Sequence, residues 1–156
     1  MVEIITRVNS CIDRLYDKDN ILFKKNEMKG VCERCLVFRL ANYLQEEFKS
    51  YFVDCDYNSS FAGNISLSGK ALKNSQGKEV KRFVDIIIHK REAEGSDFIC
   101  FEIKKWNNCT EKAIKKDKDN LKDLTSRYGY KYGFHIILGK TRDSVKIESF
   151  SNRKSI

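Results

Sequence analysis

Residues 81–106 constrain the fold most, because they form two apolar segments separated by a polar one. β-Branched and aromatic residues fill 83–89 and again 98–103. The intervening residues 92–97 are acidic and small and contain a glycine, which is typical of a turn. This pattern predicts a β-hairpin.

Acidic residues interrupt both strands of the predicted hairpin, where a purely structural strand would gain nothing from an acid. Side chains alternate between the faces of a strand, so Glu102 and Lys104 point the same way. A turn centred between Ala93 and Glu94 places Asp85 directly opposite Glu102, on the same face. The hairpin therefore predicts two carboxylates and a lysine in one place.

Two adjacent carboxylates in an apolar hairpin repel each other and are costly to bury unpaired, so this site needs a cation or a proton. Hard oxygen ligands favour Mg2+ or Mn2+, which commonly keep waters and add phosphate oxygens of a substrate. The alternative is a half-exposed hairpin on which Asp85, Glu102 and Lys104 form ordinary surface ion pairs, because motifs this short often match by chance.

The hairpin resembles the motif of the PD-(D/E)XK nuclease superfamily, which has the restriction-endonuclease-like fold. The residues that carry the resemblance are Val84, Asp85, Glu102, Ile103 and Lys104. A helix containing Glu33 precedes them and a helix from Asn108 follows, so the resemblance extends over about residues 31–150. The superfamily usually has proline before the aspartate, whereas this chain has Val84 there and contains no proline. That departure removes a backbone preference but no metal ligand.

The resemblance implies a divalent-metal-dependent enzyme that hydrolyses phosphodiester bonds, with DNA favoured over RNA as the substrate. Asp85 and Glu102 would hold one or two Mg2+ ions, or Mn2+ in their place, with the main-chain carbonyl of Ile103. Glu33 would bind metal directly or through water. Lys104 would orient the nucleophilic water, assist its deprotonation or stabilise phosphate charge, and the sequence does not decide among these roles.

Two interpretations from other functional classes stay open. One is a catalytically silent nucleic-acid-binding or regulatory protein of the same fold, which a broken acid or lysine would indicate. The other is an interaction module that binds neither metal nor nucleic acid. The intact Asp85, Glu102 and Lys104 favour the enzyme, although one fold hosts many functions.

Two helices are predicted before the hairpin. Residues 2–17 carry apolar side chains at spacings of three, four and three. Residues 31–49 carry an apolar stripe that begins at Val37, and four residues earlier the same stripe reaches Glu33. Glu33 either leans over the hairpin or is an exposed first-turn acid favoured by the helix dipole. Arg39 contacts phosphate or pairs with an acid.

A third helix is predicted after the hairpin, from Asn108 to the residue before Gly129. Asn108 with Glu111 three residues on resembles a capping arrangement. Asp117 lies on the apolar stripe and so pairs with a neighbour or orients a site residue. The helix is either a basic surface for phosphates or an ordinary solvated helix. The candidate contacts are Lys115, Lys116, Lys118 and Lys122.

The polar residues 58–79 predict a long loop, with a short hairpin near 65–67. Its lysines, among them Lys70, Lys73 and Lys78, suit a mobile clamp on a phosphate backbone or are simply solvated.

Further strands are predicted over 51–57, 130–138 and 145–150, and Asp56 in the first of them is an outside candidate for the acidic cluster. Mixed helices and strands in this order predict an α/β fold whose central mixed sheet is flanked by helices. It matches the α-β-β-β-α-β restriction-endonuclease-like core that the resemblance implies, with an extra N-terminal helix.

Length and charge bound the possible partners. The 156 residues fit one domain, 1–156. The net charge of +8 favours a polyanionic partner. No apolar run approaches the roughly 20 residues of a membrane-spanning helix, and the N-terminus lacks the apolar core of a signal peptide, so we expect nucleic acid as the partner and a cytoplasmic location. A homodimer could cut both strands of a duplex, although no isolated apolar surface demands one.

Six cysteines in a chain without a secretion signal predict free, buried thiols rather than disulfides. Cys32 and Cys35 have a metal-like spacing, but a zinc ribbon needs a second such pair, which the chain lacks.

Overall fold

A computed structural model describes residues 1–24, 31–57, 60–62, 65–67, 71–73, 79–81, 84–90, 97–127 and 129–151. These residues form three α-helices, nine strands and two 3-10 turns. The helices are α1 (Val2–Lys18), α2 (Glu33–Glu47) and α3 (Glu111–Arg127). The strands are β1 (Phe52–Tyr57), β2 (Ser60–Ala62), β3 (Ile65–Leu67), β4 (Ala71–Lys73), β5 (Glu79–Lys81), β6 (Val84–His89), β7 (Asp97–Lys105), β8 (Tyr132–Leu138) and β9 (Lys146–Ser151). The 3-10 turns are Asn20–Leu22 and Arg142–Ser144.

Five of these strands form one mixed sheet in the order β1-β6-β7-β8-β9. Its neighbours are antiparallel except β7 and β8, which are parallel and are connected through α3. The predicted α/β fold, with a mixed sheet flanked by helices, is therefore confirmed. Among the described residues, no helix is both long enough and apolar enough to cross a membrane.

The sheet buries a different helix layer on each face, as the alternation of its strand residues requires. On one face Ile86 and Phe101 pack in a cluster with Leu15 of α1 and Leu40 of α2. On the other face Ile87 and Cys100 pack against Leu121 and Leu124 of α3. Consecutive residues of β6 thus serve opposite cores.

The register of the β6–β7 hairpin is the predicted one. Ile86 pairs with Phe101 and Ile88 with Ile99, and the register shifts by one residue only at His89. Continuing it by one residue towards the start of β6 places Asp85 opposite Glu102. Phe83 and most of the predicted turn lie outside the described residues.

The prediction of a loop over 58–79 is wrong in part. It contains β2 and β3, which pair antiparallel, and also β4 and the start of β5, which pair with each other. The short hairpin expected near 65–67 is confirmed. Ladders of three residues are too short to show the alternation by which strands are recognised. Lys73 ends β4, and Lys70 and Lys78 lie outside the described residues.

Helix ends differ from the predicted ones at both later helices. α2 spans 33–47 rather than 31–49. α3 starts at Glu111, where the Ala113 N–H donates to the Thr110 hydroxyl at 3.2 Å, so Thr110 and not Asn108 is the cap. The Asn108 N–H is already bonded to the Lys105 carbonyl in a turn that follows β7. Gly129 has φ +80°, which confirms the predicted glycine beyond the helix end.

Candidate functional site

Polar side chains form a row across the sheet on the face that α3 covers. Glu102 of β7 lies beside His135 of β8, and His135 lies opposite Glu148 of β9. Asp85 of β6 extends the row on the other side of Glu102. In-register residues on neighbouring strands project from the same face, so four consecutive strands each contribute one polar residue to the row.

At the point where the β6–β7 ladder ends, the Asp85 side chain accepts a hydrogen bond from the backbone of β7. Its Oδ2 accepts a 2.7 Å hydrogen bond from the backbone N–H of Ile103. Burial raises the pKa of Asp85 to about 6; the Ile103 hydrogen bond and the Lys104 charge lower it, and the charges of Glu33 and Asp117 raise it. The negative charge of the Asp85 carboxylate is thus poorly compensated, because other acids lie close to it.

Glu102 is the most deeply buried acid of the row, with 5% of its surface exposed. Burial raises the pKa of Glu102 well above its usual range, and the negative charges of Asp85 and Asp117 add to the effect. The side-chain amide of Asn120 on α3 donates to Glu102 Oε1, which opposes the rise.

Lys104 lies among these acids, with Nζ 3.1 Å from Asp117 Oδ2 and 3.8 Å from Glu33 Oε1. Burial by itself lowers the pKa of Lys104, but the charges of Asp117 and Asp85 and the hydrogen bond to Asp117 outweigh it, so the pKa is raised. The amine is therefore protonated at neutral pH.

Glu33 starts α2 and leans over the end of β7, one of the two positions considered for it. Its Oε2 accepts the backbone N–H of Lys105 at 2.8 Å and the side-chain amide of Asn108 at 3.3 Å. A quarter of its side chain is exposed (25%), so Glu33 lies at the solvent edge of the site.

Two polar residues of the site escaped the sequence prediction. Asn120 is 4% exposed and His135 2%, and Asn120 Oδ1 and His135 Nε2 have no hydrogen-bond partner among the described residues. His135 Nε2 lies 3.7 Å from Asp117 Oδ2. Asn120 lies three residues after Asp117, on the same helix face, so that spacing was the available signal. No signal in the sequence indicated His135, because its position depends on how β8 aligns with β7.

Among the described residues, acidic side chains outnumber basic ones around Lys104. The pKa of Lys104 is raised by the charges of Asp117, Asp85 and Glu33. The charge of Lys104 in turn lowers the pKa of Glu102. Among the described residues, no group of three or more His, Cys, Asp or Glu side chains is placed so that it could hold a metal ion. Mg2+ usually binds one or two carboxylates and completes its shell with waters and phosphate oxygens. The carboxylate pair fits that mode of binding, and an added cation would offset the excess charge.

The candidate phosphate contacts fall into two groups. Lys116 and Lys122 are exposed on α3. Lys115 pairs with Asp119 at 3.1 Å, and Lys118 pairs with Glu148 at 2.5 Å. These lysines are thus all on the helix that covers the polar row.

Arg39 takes the other of its two predicted roles and pairs with an acid. Its Nε lies 3.0 Å from both carboxylate oxygens of Asp19, and the Tyr43 hydroxyl donates to the same carboxylate at 2.6 Å. Asp56 is exposed at the end of β1 with φ 50°. Asp54 Oδ2 lies 2.7 Å from His89 Nε2.

The six cysteines are thiols outside any disulfide, as predicted, but they are not all buried. Cys11 and Cys100 are buried, whereas Cys32 and Cys55 are exposed. Cys32 is exposed because it lies at the solvent-facing start of α2.

No family model matches the sequence, and no curated protein matches it. A solved structure titled "Crystal structure of SSO0001" is similar at 14% sequence identity, with a TM-score of 0.45. The similarity covers 92% of this chain and 65% of that chain, so this chain spans just under two thirds of its length.

Proposed function

We propose that this protein is a divalent-metal-dependent nuclease that hydrolyses phosphodiester bonds, with DNA favoured over RNA, on a restriction-endonuclease-like core. The observation that carries the proposal is the register of β6 and β7. It sets Asp85 beside Glu102, two carboxyls with raised pKa values, next to the protonated Lys104. The element order α2, β1, β6, β7, α3, β8 supports the proposed core.

Asp85 and Glu102 would hold Mg2+ or Mn2+ together with the main-chain carbonyl of Ile103. The excess of acids over Lys104 supports this assignment, because buried like charges are costly without a cation. Bound there, the ion would neutralise charge that develops on the phosphoryl group and lower the pKa of its water. Glu33 would take part through water, since its Oε2 is already bonded to the Lys105 N–H.

In the metal-free protein Lys104 would be a cation rather than a base. Its raised pKa keeps it protonated, so it can donate a hydrogen bond to a phosphate oxygen or hold a water. Asp117 of α3 pairs with this amine, with its Oδ2 3.1 Å from Lys104 Nζ, and would hold it in the site. A metal ion on Asp85 and Glu102 would lower the pKa of Lys104, so assisting deprotonation of the nucleophile stays among its three roles.

The test compares wild-type protein with Asp85→Asn on plasmid DNA, single-stranded DNA and structured RNA. Each substrate is incubated with Mg2+, with Mn2+ or with EDTA. We expect cleavage that requires the metal, is lost in Asp85→Asn and persists in the control Asp119→Asn, which changes an exposed acid on α3.

Cleavage that survives in a folded Asp85→Asn variant, or that proceeds in EDTA, contradicts the assignment. Tight binding of nucleic acid without cleavage by the wild-type protein indicates the silent binding protein instead. Near-ultraviolet circular dichroism of both variants checks that the fold is retained.

A further inference from the structure

A cavity of about 480 Å3 opens where the parallel strands β7 and β8 end. Its apolar lining comes from Trp106 after β7, Ile114 on α3 and Ile137 on β8. Lys140, Ser144 and Lys146 supply polar groups to the same cavity. None of these residues belongs to the carboxylate site.

The cavity lies next to that site in the sheet register. Ile137 lies beside Lys104 on the neighbouring strand, and Lys146 lies opposite Ile137 on the next one. Trp106 directly follows the last residue of β7, and its backbone N–H donates to the Leu138 carbonyl at the end of β8. The register therefore sets the lining residue Ile137 directly beside Lys104.

The two neighbouring sites differ sharply in charge. Four acids surround Lys104, whereas the described residues that line the cavity include Lys140 and Lys146 and no carboxylate. Both lysines are exposed, so a bound group can reach them from solvent. An aromatic and apolar interior with cationic groups matches a nucleotide, whose base is flat and apolar on its faces and whose phosphate is anionic.

We propose that this cavity holds one nucleobase of the substrate strand, with its phosphate at Lys140 and Lys146, beside the phosphodiester at the carboxylate site. The proposal rests on the nuclease function proposed above and assigns it a strand-positioning subsite. It follows that the substrate presents at least one unpaired base near the scissile bond, because a base stacked in a duplex cannot enter a cavity.

The test uses Trp106 as its own reporter, because it is the only tryptophan of the chain. Tryptophan emission is followed while a thymidine hexanucleotide is added in EDTA, which prevents metal-dependent cleavage. Parallel titrations use an abasic hexanucleotide with the same phosphates, and thymidine monophosphate. Fluorescence anisotropy of end-labelled strands measures binding independently of Trp106.

We expect saturable quenching of Trp106 by the thymidine strand and little quenching by the bound abasic strand. Thymidine monophosphate should quench only at much higher concentration, since it lacks the neighbouring phosphates. Lys146→Ala should weaken strand binding and reduce the slope of log K against log salt by about 0.7, the value for one contact with a single strand. The control Lys49→Ala, which changes an exposed lysine after α2, should leave both unchanged.

Strand binding by anisotropy without a change in Trp106 emission overturns the subsite and leaves the nuclease proposal standing. Equal quenching by the abasic strand shows that the cavity holds no base. Equal affinity for the monophosphate and the strand assigns the cavity to free nucleotides and overturns its role in strand positioning. Absence of any strand binding, together with absence of cleavage, removes both proposals.

Discussion

The backbone N–H of Lys105 donates a 2.8 Å hydrogen bond to Oε2 of Glu33, which fastens the first turn of α2 to the end of β7. The same carboxylate lies 3.8 Å from Lys104 Nζ through its other oxygen. Glu33 therefore has both a structural and an electrostatic role, and the two can be separated by substitution.

Glu33→Ala should lower the free energy of unfolding by about 1–3 kcal/mol, because it leaves a partly buried N–H without its charged acceptor. Glu33→Gln keeps an acceptor oxygen and should lose less stability, but it removes the charge beside Lys104 and should still reduce cleavage. Urea denaturation and cleavage rates measure the two effects. The control Glu3→Ala removes an exposed first-turn acid of α1 and should change stability by less than about 0.5 kcal/mol. Equal losses at both positions would show that the bond to Lys105 contributes nothing.

Asp85→Asn should stabilise the metal-free protein at pH 7.5 while abolishing cleavage. Burial raises the pKa of Asp85 to about 6 in the folded state, against about 3.9 when unfolded. The folded state thus binds the proton more tightly, so the contribution of Asp85 to stability is full below about pH 4 and is lost as the pH rises towards 6. Two pKa units correspond to about 3 kcal/mol, an upper limit for the gain.

Urea denaturation in EDTA at pH 7.5 and at pH 4 measures this gain. We expect Asp85→Asn to be more stable by about 1–3 kcal/mol at pH 7.5 and equal to the wild-type protein at pH 4. Mg2+ should stabilise only the wild-type protein and so reduce the difference in free energy of unfolding between it and Asp85→Asn. A variant that is less stable at pH 7.5 would show that the Asp85 charge is well compensated in the fold.

The sequence predicted the position of Asp85 opposite Glu102 because a hairpin is a local structure. The turn centre sets the register, and alternation then sets the face of every side chain. Asn120 shares the helix face of Asp117, and that spacing was the signal available for it. His135 was not found because its position depends on a contact distant in sequence, the parallel register of β8 on β7. The Thr110 cap was missed for a related reason, since the turn after β7 engages Asn108 first.

Asp117→Asn should destabilise the protein far more than the neighbouring Asp119→Asn, although both change an acid of α3 to its amide. Asp117 is 7% exposed and pairs with the largely buried Lys104 at 3.1 Å. Losing one partner of a buried pair costs roughly 3–5 kcal/mol, and the remaining acids around Lys104 should reduce this to about 2–3 kcal/mol. Asp119 pairs with Lys115 in solvent, where such a pair contributes about 0.3–0.5 kcal/mol.

Urea denaturation of both variants at pH 7 makes the comparison. In Asp117→Asn the pKa of Lys104 should also fall, because the negative charge that raises it most is gone. Chemical modification of Lys104 by an amine reagent should then become faster, as followed by peptide mass spectrometry. Equal stability of the two variants would show that the Lys104 and Asp117 pair is not formed.

Gly133 lets α3 approach the sheet closely, and Gly133→Ala should disturb the site through that helix. A Cβ at Gly133 would lie 3.2 Å from Thr125 Cγ2 and 3.3 Å from Leu121 Cδ2. Overpacking of this kind costs about 1–3 kcal/mol. Displacement of α3 would also move Asp117 and Asn120 from Lys104 and Glu102, so cleavage should fall by more than the loss of folded protein explains.

Thr125→Ser should rescue Gly133→Ala, because it deletes the crowding methyl group and keeps the hydroxyl that bonds to the Leu121 carbonyl at 2.9 Å. In the wild-type background the same change should cost stability, since it removes a well-packed methyl from a buried position. A double-mutant cycle by urea denaturation should therefore give a favourable coupling of about 0.5–2 kcal/mol between the two substitutions. Strict additivity would mean that the sheet and α3 separate freely at Gly133, and that the position of Asp117 over Lys104 is set elsewhere.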